Sequence, residues 1–155
     1  MGTSEIGLET LARRVGVADN VFVTGFIPDN VLHYFWKWSR WYIIASIAEL
    51  LSLGALQAMA SALPVIAVNA GALGELVKDN VNGYLFNEGD IPAIVRSIED
   101  LITRDDVYKR MSAKSLEFAQ RHDINKTVES FEKLYEQQTG KFWIIKIAHR
   151  KKQAE

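Results

Sequence analysis

Short apolar runs alternate with stretches of helical periodicity along most of this chain, and that alternation limits the folds it can adopt. The runs at residues 41–46, 64–68 and 83–86 are too short for core helices, and β-branched and aromatic residues are common in them. Stretches with apolar residues at helical spacing follow each run. Strands that alternate with helices form parallel sheets with right-handed crossovers. The sequence therefore predicts an α/β fold, a Rossmann-like three-layer α/β/α arrangement.

The predicted sheet has four or five parallel strands. A further strand is expected at residues 21–26, and the C-terminal segment 141–148 has the length and β-propensity of an added strand beside residues 41–46. We expect a single Rossmann-like domain over residues 1–155, in which residues 141–155 form this strand and a polar tail. Helices are predicted at about residues 4–15, 28–38, 52–61, 71–78, 91–103, 105–121 and 124–138.

Composition excludes several classes of function. A net charge of -1 lacks the basic footprint of a nucleic-acid-binding protein, so no nucleic acid is expected as a partner. The chain has no cysteine, which excludes disulfides and thiolate catalysis. No run reaches the roughly 18 apolar residues that span a bilayer. We predict no membrane span, no metal site and no cofactor, and either a cytoplasmic location or a soluble recombinant protein.

Six short motifs follow one another between residues 24 and 90. They read T-G-F at 24–26, S-I-A-E at 46–49, Q-A-M-A-S-A-L-P-V-I-A at 57–67, A-G-A-L-G-E at 70–75, N-G-Y-L at 82–85 and G-D at 89–90. Each motif alone is common, whereas their order and spacing together are specific. Over residues 21–138 the chain resembles the C-terminal, nucleotide-sugar-binding domain of family 4 GT-B retaining glycosyltransferases. In an intact enzyme, that resemblance implies transfer of sugar from a nucleoside diphosphate with retention at the anomeric carbon.

The resemblance also implies a set of donor-binding residues. Glu49 occupies the first of two positions where the family has glutamates, and Gln57 occupies the second, where an amide keeps hydrogen-bonding capacity without charge. Glu75 matches a further carboxylate that contacts the donor. Gly71 and Ala72 stand at the start of a predicted helix, where backbone amides suit a phosphate. A nucleoside-diphosphate sugar is therefore the predicted ligand.

Departures from the family pattern lower the expected activity. Apolar residues replace polar ones at 50, 51 and 53, Ala62 replaces a glycine and Gly74 replaces a proline. The first two strands of the family's domain and the acceptor-binding domain have no counterpart in this sequence. We therefore expect a partial, engineered glycosyltransferase domain with at most residual nucleotide-sugar binding and no independent sugar transfer.

Two alternatives stay open. Ser52, at the predicted start of a helix, is a candidate nucleophile of an engineered hydrolase, with His149 or His33 as its base. Alternatively, the chain is a designed scaffold or interaction protein that forms a homo-oligomer or binds a protein partner. The residues of that aromatic surface are Trp36, Trp38, Arg40 and Trp41.

Overall fold

A computed structural model describes residues 3–139 of the chain. Contacts divide the chain into two compact units, residues 1–38 and 39–155. The predicted tail strand at 141–148 lies outside the described residues.

The first unit consists of two helices and the segment that joins them. Helix α1 spans Thr3–Arg14, a 3₁₀ turn spans Ala18–Asn20, and helix α2 spans Asp29–Trp38. Gly16 follows α1 with a φ of 76°, a conformation that glycine adopts without strain. The Val17 N–H then donates to the Ala12 carbonyl at 3.0 Å and closes the helix end. Both predicted helices of this unit are confirmed.

The strand predicted at residues 21–26 is wrong. This segment has no regular secondary structure, and Phe22 and Phe26 are 86% and 90% exposed. A strand needs a neighbour for its backbone N–H and C=O groups. The described part of the first unit, residues 3–38, contains no strand with which this segment could pair. High β-propensity therefore leaves this segment as a loop.

The second unit has a parallel sheet of three strands over its described residues. Strand β1 spans Tyr42–Ile44, β2 spans Val65–Val68 and β3 spans Gly83–Phe86, in the order β1-β2-β3. Ile43 pairs with Ile66, which pairs with Tyr84. The fold is α/β and Rossmann-like as predicted, whereas the prediction of four or five strands is wrong for residues 3–139. Five helices accompany the sheet: α3 (Leu53–Ala60), α4 (Leu73–Leu76), α5 (Ile91–Thr103), α6 (Asp105–Ala119) and α7 (Ile124–Thr139).

Helix α4 is a single turn, although residues 71–78 were expected to be helical. The buried side chain of Asn82 explains where it ends. Its Oδ1 accepts a hydrogen bond from the Lys78 N–H at 2.7 Å, and its Nδ2 donates to the Leu76 carbonyl at 3.0 Å. Backbone groups that would continue the helix are bonded to Asn82 instead. The chain consequently leaves α4 in an extended conformation at Val77, with φ -100° and ψ 121°.

The core lies around β2, whose four residues are all buried. Helices α3 and α6 pack together, with Met59 and Met111 fully buried in the core. Between α3 and β2 the chain reverses at Ala62, which has a φ of 60°, unusual for a residue with a side chain. The Ser112 hydroxyl donates to the Ala62 carbonyl at 2.6 Å and anchors this turn to α6. Ala62 therefore has a backbone conformation that glycine adopts more readily.

A polar cluster joins β3 to α5. The Tyr84 hydroxyl donates to the Asp100 carboxylate, which also accepts from Arg104 Nη1 at 3.1 Å. Burial, together with the hydrogen bond to Asp100, raises the pKa of Tyr84 to about 12.

Within residues 3–139, no helix has the length and apolar character to cross a membrane.

Candidate functional site

Three loops lie at the carboxyl ends of the three strands. The loop at 45–52 follows β1, the loop at 69–72 follows β2, and the loop at 87–90 follows β3. Since the strands are parallel, all three loops begin at the same edge of the sheet. Ligands of open α/β sheets bind at this edge. We call it the carboxyl edge.

The first two loops of the carboxyl edge are bonded to each other through their backbones. The Ala72 N–H donates to the Glu49 carbonyl at 3.1 Å. Gly71 lies against the same residue: a Cβ on Gly71 would be 2.7 Å from the Glu49 carbonyl oxygen. Asn69 links the second loop to β3, because its N–H donates to the Phe86 carbonyl at 2.7 Å. The backbone of Glu49 is thereby fixed relative to the sheet.

Two of the predicted donor residues, Glu49 and Glu75, lie on segments that follow β1 and β2. Glu49 is half-buried in the first loop, and Glu75 is exposed in α4, which begins directly after Ala72. Gln57 is exposed on α3. The Ala72 amide already has an acceptor in Glu49, so a phosphate could use it only if that bond broke. Ala72 thus holds Glu49 in place.

Ser52 is buried and caps helix α3. Its Oγ accepts a hydrogen bond from the Ala55 N–H at 3.3 Å, and its carbonyl accepts from the Leu56 N–H at 3.0 Å. These are the bonds of a helix N-cap. Of the two candidate bases, His33 is exposed on α2 and contacts the ring of Tyr34, while His149 lies outside the described residues. Nucleophilic chemistry at Ser52 stays a prediction.

The four residues of the predicted aromatic surface have different surroundings. Trp38 is 83% exposed and Trp36 is half-buried on α2. Arg40 lies over the ring of Tyr108, with its Cζ 4.7 Å from the ring centre, and Trp41 packs against the core. Arg40 and Trp41 therefore already make contacts within the second unit.

Tyr42, the first residue of β1, reaches with its phenol the helix that follows the first loop of the carboxyl edge. Its hydroxyl lies under the first turn of α3, where a Cβ on Gly54 would be 2.9 Å from the Tyr42 oxygen. Burial raises the pKa of the Tyr42 phenol, and the negative charge of Glu49 raises it further. In the sequence, only the glycine at position 54 could have indicated this contact, and the fold is needed to pair Gly54 with Tyr42.

Among residues 3–139, no group of three or more His, Asp or Glu side chains could hold a metal ion.

A family model described as glycosyl transferases group 1 matches residues 2–118, well over half of the chain. The chain belongs to the glycosyl transferases group 1 family.

Similar members of glycosyl transferases group 1 show which part of such a protein is present. An uncharacterized glycosyltransferase of Haemophilus influenzae is 31% identical over 132 residues, which are 84% of this chain and 36% of that protein. The solved C-terminal domain of LpcC, a group 1 protein of Francisella tularensis, is 27% identical with a TM-score of 0.68, over 77% of this chain and 63% of that one. The chain spans about a third of the length of the curated relatives it matches. It corresponds to the C-terminal domain, as the motifs indicated.

A third similarity concerns the fold alone. HepE of Anabaena, solved in complex with UDP-glucose, is 23% identical, with a TM-score of 0.68 over 84% of this chain and 38% of that chain. At this level of sequence identity, the similarity shows that the two proteins share a fold and shows nothing more. The structure of the glycosyl transferases group 1 domain is therefore common to proteins whose sequences have diverged widely.

Proposed function

We propose that this chain binds a nucleoside-diphosphate sugar at the carboxyl edge and does not transfer the sugar by itself. Sugar transfer is proposed only for a longer protein that contains such a domain. The bond between the Ala72 N–H and the Glu49 carbonyl is the observation that carries the proposal. It brings two separate motifs of the family together on one edge and fixes the backbone of the residue that would contact the ligand.

Each donor group matches a chemical feature of the edge. The carboxylates of Glu49 and Glu75 can accept hydrogen bonds from ribose and sugar hydroxyls, and Gln57 can do so without charge. Helix α3 begins at Leu53, and its N-terminus favours the negative charge of a diphosphate. Gly71 has no side chain to obstruct an approaching ligand. The complex of HepE with UDP-glucose supports this class of ligand, because that protein has the same fold.

A titration with uridine and guanosine diphosphates and their sugars, followed by NMR and calorimetry, tests the proposal. Saturable shifts are expected at Glu49, Gly71 and Glu75. Replacing either glutamate by glutamine should weaken binding by about tenfold, the loss of one hydrogen bond to a charged group. Glu99→Gln, at an exposed position on α5, is the matched control and should bind like the wild type. Absence of binding at millimolar ligand would overturn the proposal.

The other interpretations receive less support. The Ser52 hydroxyl already caps α3, which accounts for the residue without a hydrolase. An interaction surface keeps Trp38 as its most exposed predicted member, and association weakened by Trp38→Ala would revive that interpretation. Neither the contacts nor the family match supports an engineered origin, which stays a prediction.

A further inference from the structure

The phenol of Tyr42 fills the space beneath the first turn of α3. Tyr42 is half-buried on β1 and packs against the core. A Cβ on Gly54 would be 2.9 Å from the Tyr42 oxygen and 3.5 Å from Cζ. The first of these distances is shorter than normal contact, whereas the second is ordinary van der Waals contact. The hydroxyl alone therefore occupies the room that a side chain at position 54 would need.

The segment 49–54 rests on fixed groups at both of its ends. At the first end, the Glu49 carbonyl accepts a hydrogen bond from the Ala72 N–H at 3.1 Å, and Gly71 packs closely beside this carbonyl. At the other end, Ser52 caps α3 and Gly54 lies on the Tyr42 hydroxyl. A displacement of the Gly54 backbone should therefore change the backbone conformation of the few residues between Gly54 and Glu49.

The side chain of Glu49 lies within electrostatic range of the same phenol. Its charge raises the pKa of Tyr42 in addition to the larger effect of burial. The phenol that contacts Gly54 is therefore also a neighbour of the Glu49 side chain.

We propose that Tyr42 is a positioning residue of the donor site, whose hydroxyl sets the first turn of α3 and, through the segment 49–54, the place of the Glu49 carboxylate. The proposal rests on the proposed function, in which Glu49 contacts a nucleoside-diphosphate sugar. Tyr42 itself need not touch the ligand. It acts through the backbone that carries Glu49.

A double-mutant cycle with Gly54→Ala and Tyr42→Phe tests this geometry. Gly54→Ala forces the new methyl group against the hydroxyl and should weaken binding of uridine diphosphate glucose by about tenfold. Tyr42→Phe removes the hydroxyl and should weaken binding by about threefold. In the double variant the methyl group meets only Cζ, so binding should return to the level of Tyr42→Phe. Gly7→Ala, in α1 with nothing within 4 Å of its new methyl group, is the matched control and should leave binding unchanged.

The amide chemical shift of Glu49 gives a second measure that needs no ligand. Gly54→Ala should displace this signal, and adding Tyr42→Phe should largely reverse the displacement. A purely structural loss of stability would lower the melting temperature without this reversal. Additive effects of the two substitutions on the Glu49 signal would overturn the positioning role. If the variants show the reversal but the wild-type protein binds no nucleotide, the donor-site role of Tyr42 falls with the proposed function, while the contact between Tyr42 and Gly54 stands.

Discussion

Gly71 lies so close to Glu49 that a Cβ on the glycine would be 2.7 Å from the glutamate's carbonyl oxygen. The neighbouring Ala72 N–H bonds to that same oxygen at 3.1 Å. The loop after β2 thus supports the loop after β1 through backbone atoms alone. Glu49 could be replaced without loss of this support, whereas Gly71 could not.

Gly71→Ala should destabilise the domain and weaken nucleotide binding together. The φ of 54° at Gly71 is strained for alanine, and the new methyl group would also displace the Glu49 carbonyl. We expect a loss of about 2 kcal/mol or more in the free energy of unfolding, measured with denaturant. Gly89→Ala has the same kind of positive φ, 79°, but nothing within 4 Å. It should cost about 1 kcal/mol, and equal losses in the two variants would argue against the close contact.

Ser52→Ala should lower the free energy of unfolding by about 1 kcal/mol, because α3 loses its N-cap. Ser52→Gly should cost only about a few tenths of that, since glycine is tolerated at an N-cap. A nucleophile would behave differently, because both substitutions would abolish its activity. We expect p-nitrophenyl acetate to be hydrolysed at the same background rate by all three proteins. A Ser52-dependent rate would restore the hydrolase hypothesis.

Stability should fall as pH rises above 10, partly because of Tyr84. Its pKa is raised to about 12 in the folded protein from an ordinary value of 10.0, so between these values the folded state keeps a proton that the unfolded chain releases. The stabilisation is fully present below pH 10 and is lost as pH approaches 12. After allowance for solvent screening it amounts to about 1 kcal/mol.

Two variants isolate the contribution of Tyr84 in denaturant titrations at several pH values. Tyr84→Phe should flatten the decline between pH 10 and 12, because no phenol remains to titrate there. Asp100→Asn should flatten it only in part, since the negative charge beside the phenol is gone while burial, the larger cause of the raised pKa, remains. An unchanged slope in both variants would assign the decline to other groups.

Ala62→Gly should stabilise the domain by about 0.5 to 1 kcal/mol. Alanine at a φ of 60° is strained, and the relief exceeds the extra backbone entropy of glycine in the unfolded chain. The hydrogen bond from Ser112 is to the backbone carbonyl and is retained. Ala60→Gly, in the last turn of α3, is the control and should cost about 1 kcal/mol. Melting temperatures that fall in both variants would contradict the strain at Ala62.

The elements that the sequence predicted well are those whose signals are local. The run Val65–Val68 is apolar throughout and forms a fully buried strand. A helix was predicted from residue 91, and at the start of α5 the Asp90 Oδ1 accepts from the Ala93 N–H at 2.9 Å. Such bonds form within a few residues, so the pattern of residues nearly determines them.

The features that the sequence missed depend on residues far apart in the chain. Residues 21–26 have the composition of a strand, but strand formation depends on a neighbour that no local pattern supplies. Two contacts arise only where separate parts of the chain meet. They are the hydrogen bond from the Ala72 N–H to the Glu49 carbonyl and the contact of Tyr42 with Gly54. Family motifs predicted donor residues on the segments that follow β1 and β2, yet they did not indicate which backbone groups of those segments bond to each other.

The hydrogen bond from Ala72 to Glu49 joins loops that come together only when β1 and β2 lie side by side. A partly folded chain, with the two strands apart, therefore lacks the assembled edge that a ligand would recognise. A ligand that binds the native state alone shifts the folding equilibrium toward it. If the donor binds here, it also acts as a folding ligand, and the cellular supply of nucleotide sugar would influence how long the domain survives proteolysis.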